Sequence, residues 1–158
     1  MIKEQNITPY VGVGPIALMS RLDDVKAYLK FNKIPHQVEV WPNKGETPEV
    51  PWTIVRVEGC VSLFFAKGLL WKVYATRGYE GALPNGIRIG IKTEKALQTD
   101  PDLEDDDWNE VYVSKNGYWL EDSLETGEIE SISVFIKAVE KDDEFYSYEW
   151  ANGSKIAN

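Results

Sequence analysis

At 158 residues and 43% hydrophobic content the chain can build one ordinary domain, or two small repeats around a shared core. Six Trp, eight Tyr and five Phe supply large apolar side chains, each worth about 1.5–3 kcal/mol when buried, which argues against disorder. The net charge of −9 is unevenly divided: residues 1–79 sum to +3 and residues 80–158 to −12. The basic residues are dispersed and the acidic half would repel phosphate, so direct nucleic-acid binding is disfavoured.

A polar stretch, residues 1–8, leads into Pro9 and a run with Gly12, Gly14 and Pro15 that predicts a turn or strand edge. Ser20 is the predicted N-cap of a helix, with Asp23 three residues on. Leu22, Val25, Tyr28 and Leu29 recur at helical spacing up to about Phe31, and Pro35 closes the element. Val38 and Val40 then alternate with Glu39 as a strand, and residues 41–45 turn into a Pro48 to Pro51 loop. Residues 53–57, 61–65 and 69–75 read as three strands, with a bend at Gly59 and a hairpin at Lys67-Gly68.

The second half repeats that order. Residues 83–90 match the opening glycine-rich run, Thr93 caps a short helix through Leu97, and Asp100-Pro101 ends it. Residues 108–113 and 118–120 read as strands around a Lys115-Asn116-Gly117 turn. After Thr126-Gly127, the residues Ile129, Ile132, Val134 and Ile136 mark a final long strand. The closing aromatics Phe145, Tyr146, Tyr148 and Trp150 could alternate as an edge strand or pack beneath the acidic loop, and core packing is the favoured reading.

The predicted fold is α+β: antiparallel sheet meanders with one or two short helices in a single domain, 1–158. Two similar halves, 10–79 and 80–150, are one way to build it. Glu58-Gly59 aligns with Asn116-Gly117, and Lys67-Gly68 with Thr126-Gly127. Two copies near a 58-residue spacing suggest a pseudo-symmetric pair rather than a repeat array.

Chemistry-bearing residues are sparse. The run from Asp100 to Glu110 holds seven carboxylates and no basic residue, yet a calcium loop begun at Asp100 or Asp102 has Asp105 or Asp107 where the turn needs Gly. It also has Val111 or Val113 where the closing Glu belongs. Residues 12–17 lack the dinucleotide-binding arrangement, His36 is the only histidine, and Cys60 has no second thiol. No cofactor, no metal and no catalytic site are expected, and the chain is read as a non-enzyme. A carboxylate-based enzyme and a non-inhibitory adaptor or assembly module remain as alternatives.

The acid run fits a solvated loop or, functionally, a face that steers a cationic protein partner. The predicted partner-binding residues are Asp102, Glu104, Asp105, Asp106 and Asp107 for steering, with Trp108, Tyr112, Tyr118 and Trp119 as buried anchors. Glu121 and Asp122 join them from the following hairpin. No basic start precedes an apolar stretch with a cleavage site, and no apolar run matches a membrane span, so a cytoplasmic protein without membrane contact is expected.

Gly14-Pro15-Ile16 before a helix and meander, and residues 86–90 before Thr93 to Leu97, resemble the helix-plus-meander module of the outer-membrane assembly lipoproteins (BamE/SmpA-like). This chain differs from that family in having no lipid-accepting Cys near its start. In type rather than motif it is similar to the immunity proteins of bacterial polymorphic toxin systems, such as contact-dependent inhibition. That resemblance implies a tight complex with a cationic toxin domain, often a nuclease.

Overall fold

A computed structural model describes residues 1–155. The chain is α+β, with strand (36%) outweighing helix (22%) and every sheet antiparallel. The opening glycine run forms a three-stranded sheet of β1 (Ile7–Thr8), β2 (Gly12–Val13) and β3 (Ile16–Ala17). Gly12 is required there: a Cβ at its φ of 142° would lie 2.1 Å from the Ile16 carbonyl oxygen.

Helix α1 (Leu22–Phe31) buries Val25 and Leu29, at the helical spacing the sequence displays. Its N-cap is Arg21, and no side chain caps it. Ser20 is instead drawn into extended pairing, its carbonyl accepting from Leu70 N–H at 3.0 Å, so its backbone stands outside the helix. The helix ends at Phe31, where the spacing predicts, with Asn32 as its C-cap; Lys33 adopts a left-handed φ of 55° and Ile34 N–H bonds back to Leu29.

The first meander has four strands: β4 (His36–Trp41), β5 (Trp52–Val57), β6 (Val61–Ala66) and β7 (Leu69–Thr76). The second follows helix α2 (Thr93–Thr99) with β8 (Glu104–Asp106), β9 (Val111–Ser114), β10 (Tyr118–Asp122) and β11 (Ile129–Phe135). Lys92, not Thr93, is the N-cap of α2. The predicted 108–113 strand begins only at Val111, because residues 107–110 turn and Glu110 takes a φ of 57°. The acid run that looked like a loop supplies β8, recruited by pairing with β9 rather than by its own strand propensity.

All eight form one sheet in the order β4-β5-β6-β7-β11-β10-β9-β8. The order reads outward from the central β7–β11 pair as two meanders facing opposite ways. Each helix sits on the last hairpin of its own meander through matching bonds. Leu22 N–H donates to Gly68 O (2.8 Å) and Thr93 N–H to Gly127 O (2.9 Å). Likewise Leu70 N–H donates to Ser20 O and Ile129 N–H to Ile91 O.

Alternation along the strands assigns two faces. Val73 and Ala75 of β7, Leu120 of β10 and Ile132 of β11 join Val25, Leu29 and Ala96 of the helices in the main core. On the other face Ala66 and Trp71 pack with Val50, Phe145 and Tyr148 in a second cluster. Phe145 belongs to helix α3 (Asp142–Ser147), and the chain then runs into a 3-10 segment, Glu149–Lys155. The closing aromatics therefore pack as core rather than as an edge strand, but the core they join is the aromatic face of the first meander and not the underside of the acidic loop. Asp142, Asp143 and Glu144 favour the positive end of a helix dipole, and Phe145 lands on the aromatic face of the first meander.

Candidate functional site: an acidic groove

Asp100 shows what the acid run does when it turns inward. It is buried at the end of α2, where its Oδ2 accepts from the hydroxyls of Ser114 (2.9 Å) and Tyr118 and from Asn116 Nδ2 (3.5 Å). Its Oδ1 accepts from Asp102 N–H at 3.2 Å. Burial opposes the charge, but the donors from Tyr118, Ser114, Asp102 and Asn116 outweigh it and hold the carboxyl below its ordinary range. Tyr118 is only 1% exposed, receives a bond from Asn85 and serves the core. The expectation that it contacts a partner is corrected: it shares a face with Leu120, whereas Trp119 points to the opposite side.

Further along, carboxylates turn outward and converge. Asp105 and Asp107 from β8 and its turn meet Glu121 and Asp122 of β10 around an open groove of about 710 Å³. Glu110, Glu125 and Glu130 complete the lining with Tyr112, and no Lys or Arg contributes. Two of these acids are held in place. Glu121 accepts from Tyr74 hydroxyl (2.8 Å) and Ser131 hydroxyl (2.6 Å), and Asp122 from Thr93 hydroxyl (2.8 Å). A bulge between Glu121 and Asp122 lets adjacent carboxylates both reach the groove.

The crowding bears on Asp105 and Tyr112. Desolvation first, then the charge of Asp107 and those of Asp122 and Asp106, push the Asp105 carboxyl above its ordinary value. Desolvation, then the charges of Asp122, Asp105 and Asp107, raise the Tyr112 hydroxyl. Among the described residues no three of His, Cys, Asp and Glu are arranged to hold a metal ion. The groove is thus a concentration of repelling negative charge, which a cationic surface would relieve.

The other predicted residues divide. Asp106 folds back to accept from Asn109 N–H and its side-chain amide (2.8 Å), which lowers its carboxyl, so it shapes the turn. Glu104 and Asp102 are exposed outside the groove, Glu104 lying 3.8 Å from Lys115. Trp108, next in chain to Asp107, is 92% exposed, and Leu124, on the groove wall, is 98% exposed. Leu124 is an exposed apolar side chain on the groove wall that sequence reading did not single out, because nothing in a lone Leu of a loop signals exposure.

Trp119 belongs to a different surface. Its ring lies 4.8 Å from Phe135, on the sheet face away from α1 and α2. There Trp41, Trp52, Phe64 and Tyr74 join it around a groove of about 430 Å³. Lys72 rises among them, its Nζ 5.2 Å from the Phe64 ring centre, 5.3 Å from Tyr74 and 5.8 Å from Trp119. Burial pulls this ammonium below its ordinary pKa, and the charge of Glu121 partly restores it. The sequence signal for this face was bulk at both parities of β5 to β7: aromatics and Lys72 stand between the core positions, so both faces had to be occupied.

No family model matches the chain, and neither a curated protein nor a solved structure matches it.

Proposed function

We propose that the protein captures a cationic protein on the acidic groove of its second meander, and that this partner is a basic toxin domain which it neutralises as an immunity protein. The observation that supports this most is convergence: carboxylates from β8, β10, the β10–β11 loop and β11 line one open groove that no basic side chain enters. Exposed carboxylates contribute little net affinity, since exposed ion pairs are worth only about 0–1 kcal/mol each. Their summed field instead raises the encounter rate with a basic cleft. Lifetime then falls to apolar contact, for which Leu124 on the groove wall and Trp108, next in chain to Asp107, stand exposed.

The resemblance to toxin immunity proteins supplies the kind of partner. The assignment predicts that a basic toxin domain is encoded beside this gene, and the test is co-expression with that domain. The chain is expected to restore growth and to co-purify with the domain in equal amounts. A variant carrying Trp108→Ala and Leu124→Ser should fold normally yet lose most of the protection. Unchanged protection by that variant, or a partner bound equally well after the groove acids are neutralised, would overturn the assignment.

A further inference from the structure

We propose that Lys72 is a covalent capture site, its amine forming an imine with a flat, uncharged aromatic aldehyde seated in the aromatic groove of the first meander. The inference is independent of the role given to the acidic groove.

Position makes Lys72 unusual. β7 lies in the middle of the eight-stranded sheet, and Lys72 stands opposite Phe64 of β6 and Phe135 of β11. A flexible cation has little strand propensity, and lysine is rarely buried unless it is paired. Among the described residues no carboxylate pairs with Lys72 and no hydrogen bond reaches its Nζ, which sits over the rings of Phe64, Tyr74 and Trp119. Of the other lysines whose side chains are described, all but Lys3 are exposed. An aliphatic residue would fill the same place without desolvating a charge, so packing does not account for the amine.

The surroundings make that amine a nucleophile. Loss of water disfavours the ammonium more than the ring faces favour it, and Lys72 titrates below its ordinary value. A larger share is therefore the neutral amine, whose lone pair can attack. The groove of about 430 Å³ sets this group among flat walls, with Trp41, Trp52, Phe64 and Trp119 on its lining. Such walls suit a planar ring, which stacks on them. Glu121 and Asp142 also line the groove, so an anionic ligand is repelled and a neutral one is not.

An aldehyde on a planar ring meets both demands and needs no leaving group. Attack of the Nζ lone pair on the carbonyl carbon forms the C–N bond, and the carbonyl oxygen takes up one amine proton to become a hydroxyl. That hydroxyl departs as water with the second amine proton, leaving C=N. Amine and aldehyde thus give imine and water, and no oxidant or further reactant enters. The titratable groups that face Lys72 around the groove are Tyr74 on its own strand, Glu121 on β10, and Asp142 and Tyr146 on α3. None is a second amine, and Tyr74, its hydroxyl pushed up to about 12, stays protonated where lysines react.

The test is incubation of the full chain with 2-naphthaldehyde and cyanoborohydride, which reduces the imine to a stable amine, followed by intact-mass measurement and peptide mapping. Lys72 should be labelled about tenfold faster than any exposed lysine, and its rate should level off at a lower pH than theirs. Acetaldehyde, with the same carbonyl and no ring, should lose most of that preference. Lys72→Met keeps the length of the stem and should abolish the fast adduct. Lys72→Arg keeps the cation over the rings, forms no imine, and should do the same if the methionine variant fails to fold. Labelling of Lys72 no faster than of exposed lysines, a fast adduct that survives its replacement, or an equal preference with acetaldehyde overturns the proposal.

Discussion

Asp100 and Asp105 lie five residues apart in the same acid run, and the fold treats them in opposite ways. Asp100 is enclosed by hydroxyl, amide and backbone donors that stabilise its charge, and it ties α2 to β9 and β10. Burial and the neighbouring carboxylates disfavour the charge of Asp105. The difference separates acids whose charge the fold satisfies from acids whose charge it leaves opposed. Net charge alone could not make that separation.

The largest effect expected from breaking this contrast is on stability at Asp100. Asp100→Ala strands the buried hydroxyls of Tyr118 and Ser114 and should cost about 3 kcal/mol, read from urea unfolding. A loss under about 1 kcal/mol would mean that the network does not anchor the second meander.

Acidity should sharpen the contrast, because the two groups move stability in opposite directions. Asp100 titrates below the ordinary value of 3.8 in the folded chain. Its contribution is therefore present above that value and is lost as pH falls through the folded pKa. Asp105 titrates above the same ordinary value, so its ionisation counts against the fold as pH rises through the raised pKa, and acidification relieves it. Asp100→Asn should flatten the loss of stability on the acid side, and Asp105→Asn the smaller gain above it. Melting curves from about pH 3 to pH 6 would resolve both, and identical profiles for the two variants would dissolve the distinction.

The smallest effect on stability belongs to the groove as a whole. Combining Asp105→Asn, Asp107→Asn and Glu110→Gln should leave the melting temperature unchanged or raise it, since repulsion is removed and no bond to a partner residue is cut. A marked drop in melting temperature would show that these acids serve the fold after all.

Much of this architecture could be read from the chain. Helix α1 followed from the spacing of Val25 and Leu29, and β5 to β7 from alternation broken at Gly59 and Gly68. β8 could not be read, because Glu104, Asp105 and Asp106 have little strand propensity and pair only because β9 offers an edge. α3 is six residues long, and the aromatics at 146, 148 and 150, which run from α3 into the following 3-10 segment, imitate a strand's period of two. Within the site, the convergence of Asp105, Asp107, Glu121 and Asp122 depends on strand order and on one bulge, neither of which has a local signature. Tyr118 could have been assigned to the core: it stands two residues from Leu120 in β10, so one face receives both.

The central claim, that the groove steers a cationic protein, is tested most directly by the association rate with the purified toxin domain across ionic strength. The wild type should slow at least tenfold between about 50 and 500 mM salt, while the Asp105→Asn, Asp107→Asn, Glu110→Gln variant starts slower and loses most of that dependence. Equal salt slopes for the two proteins would contradict the account.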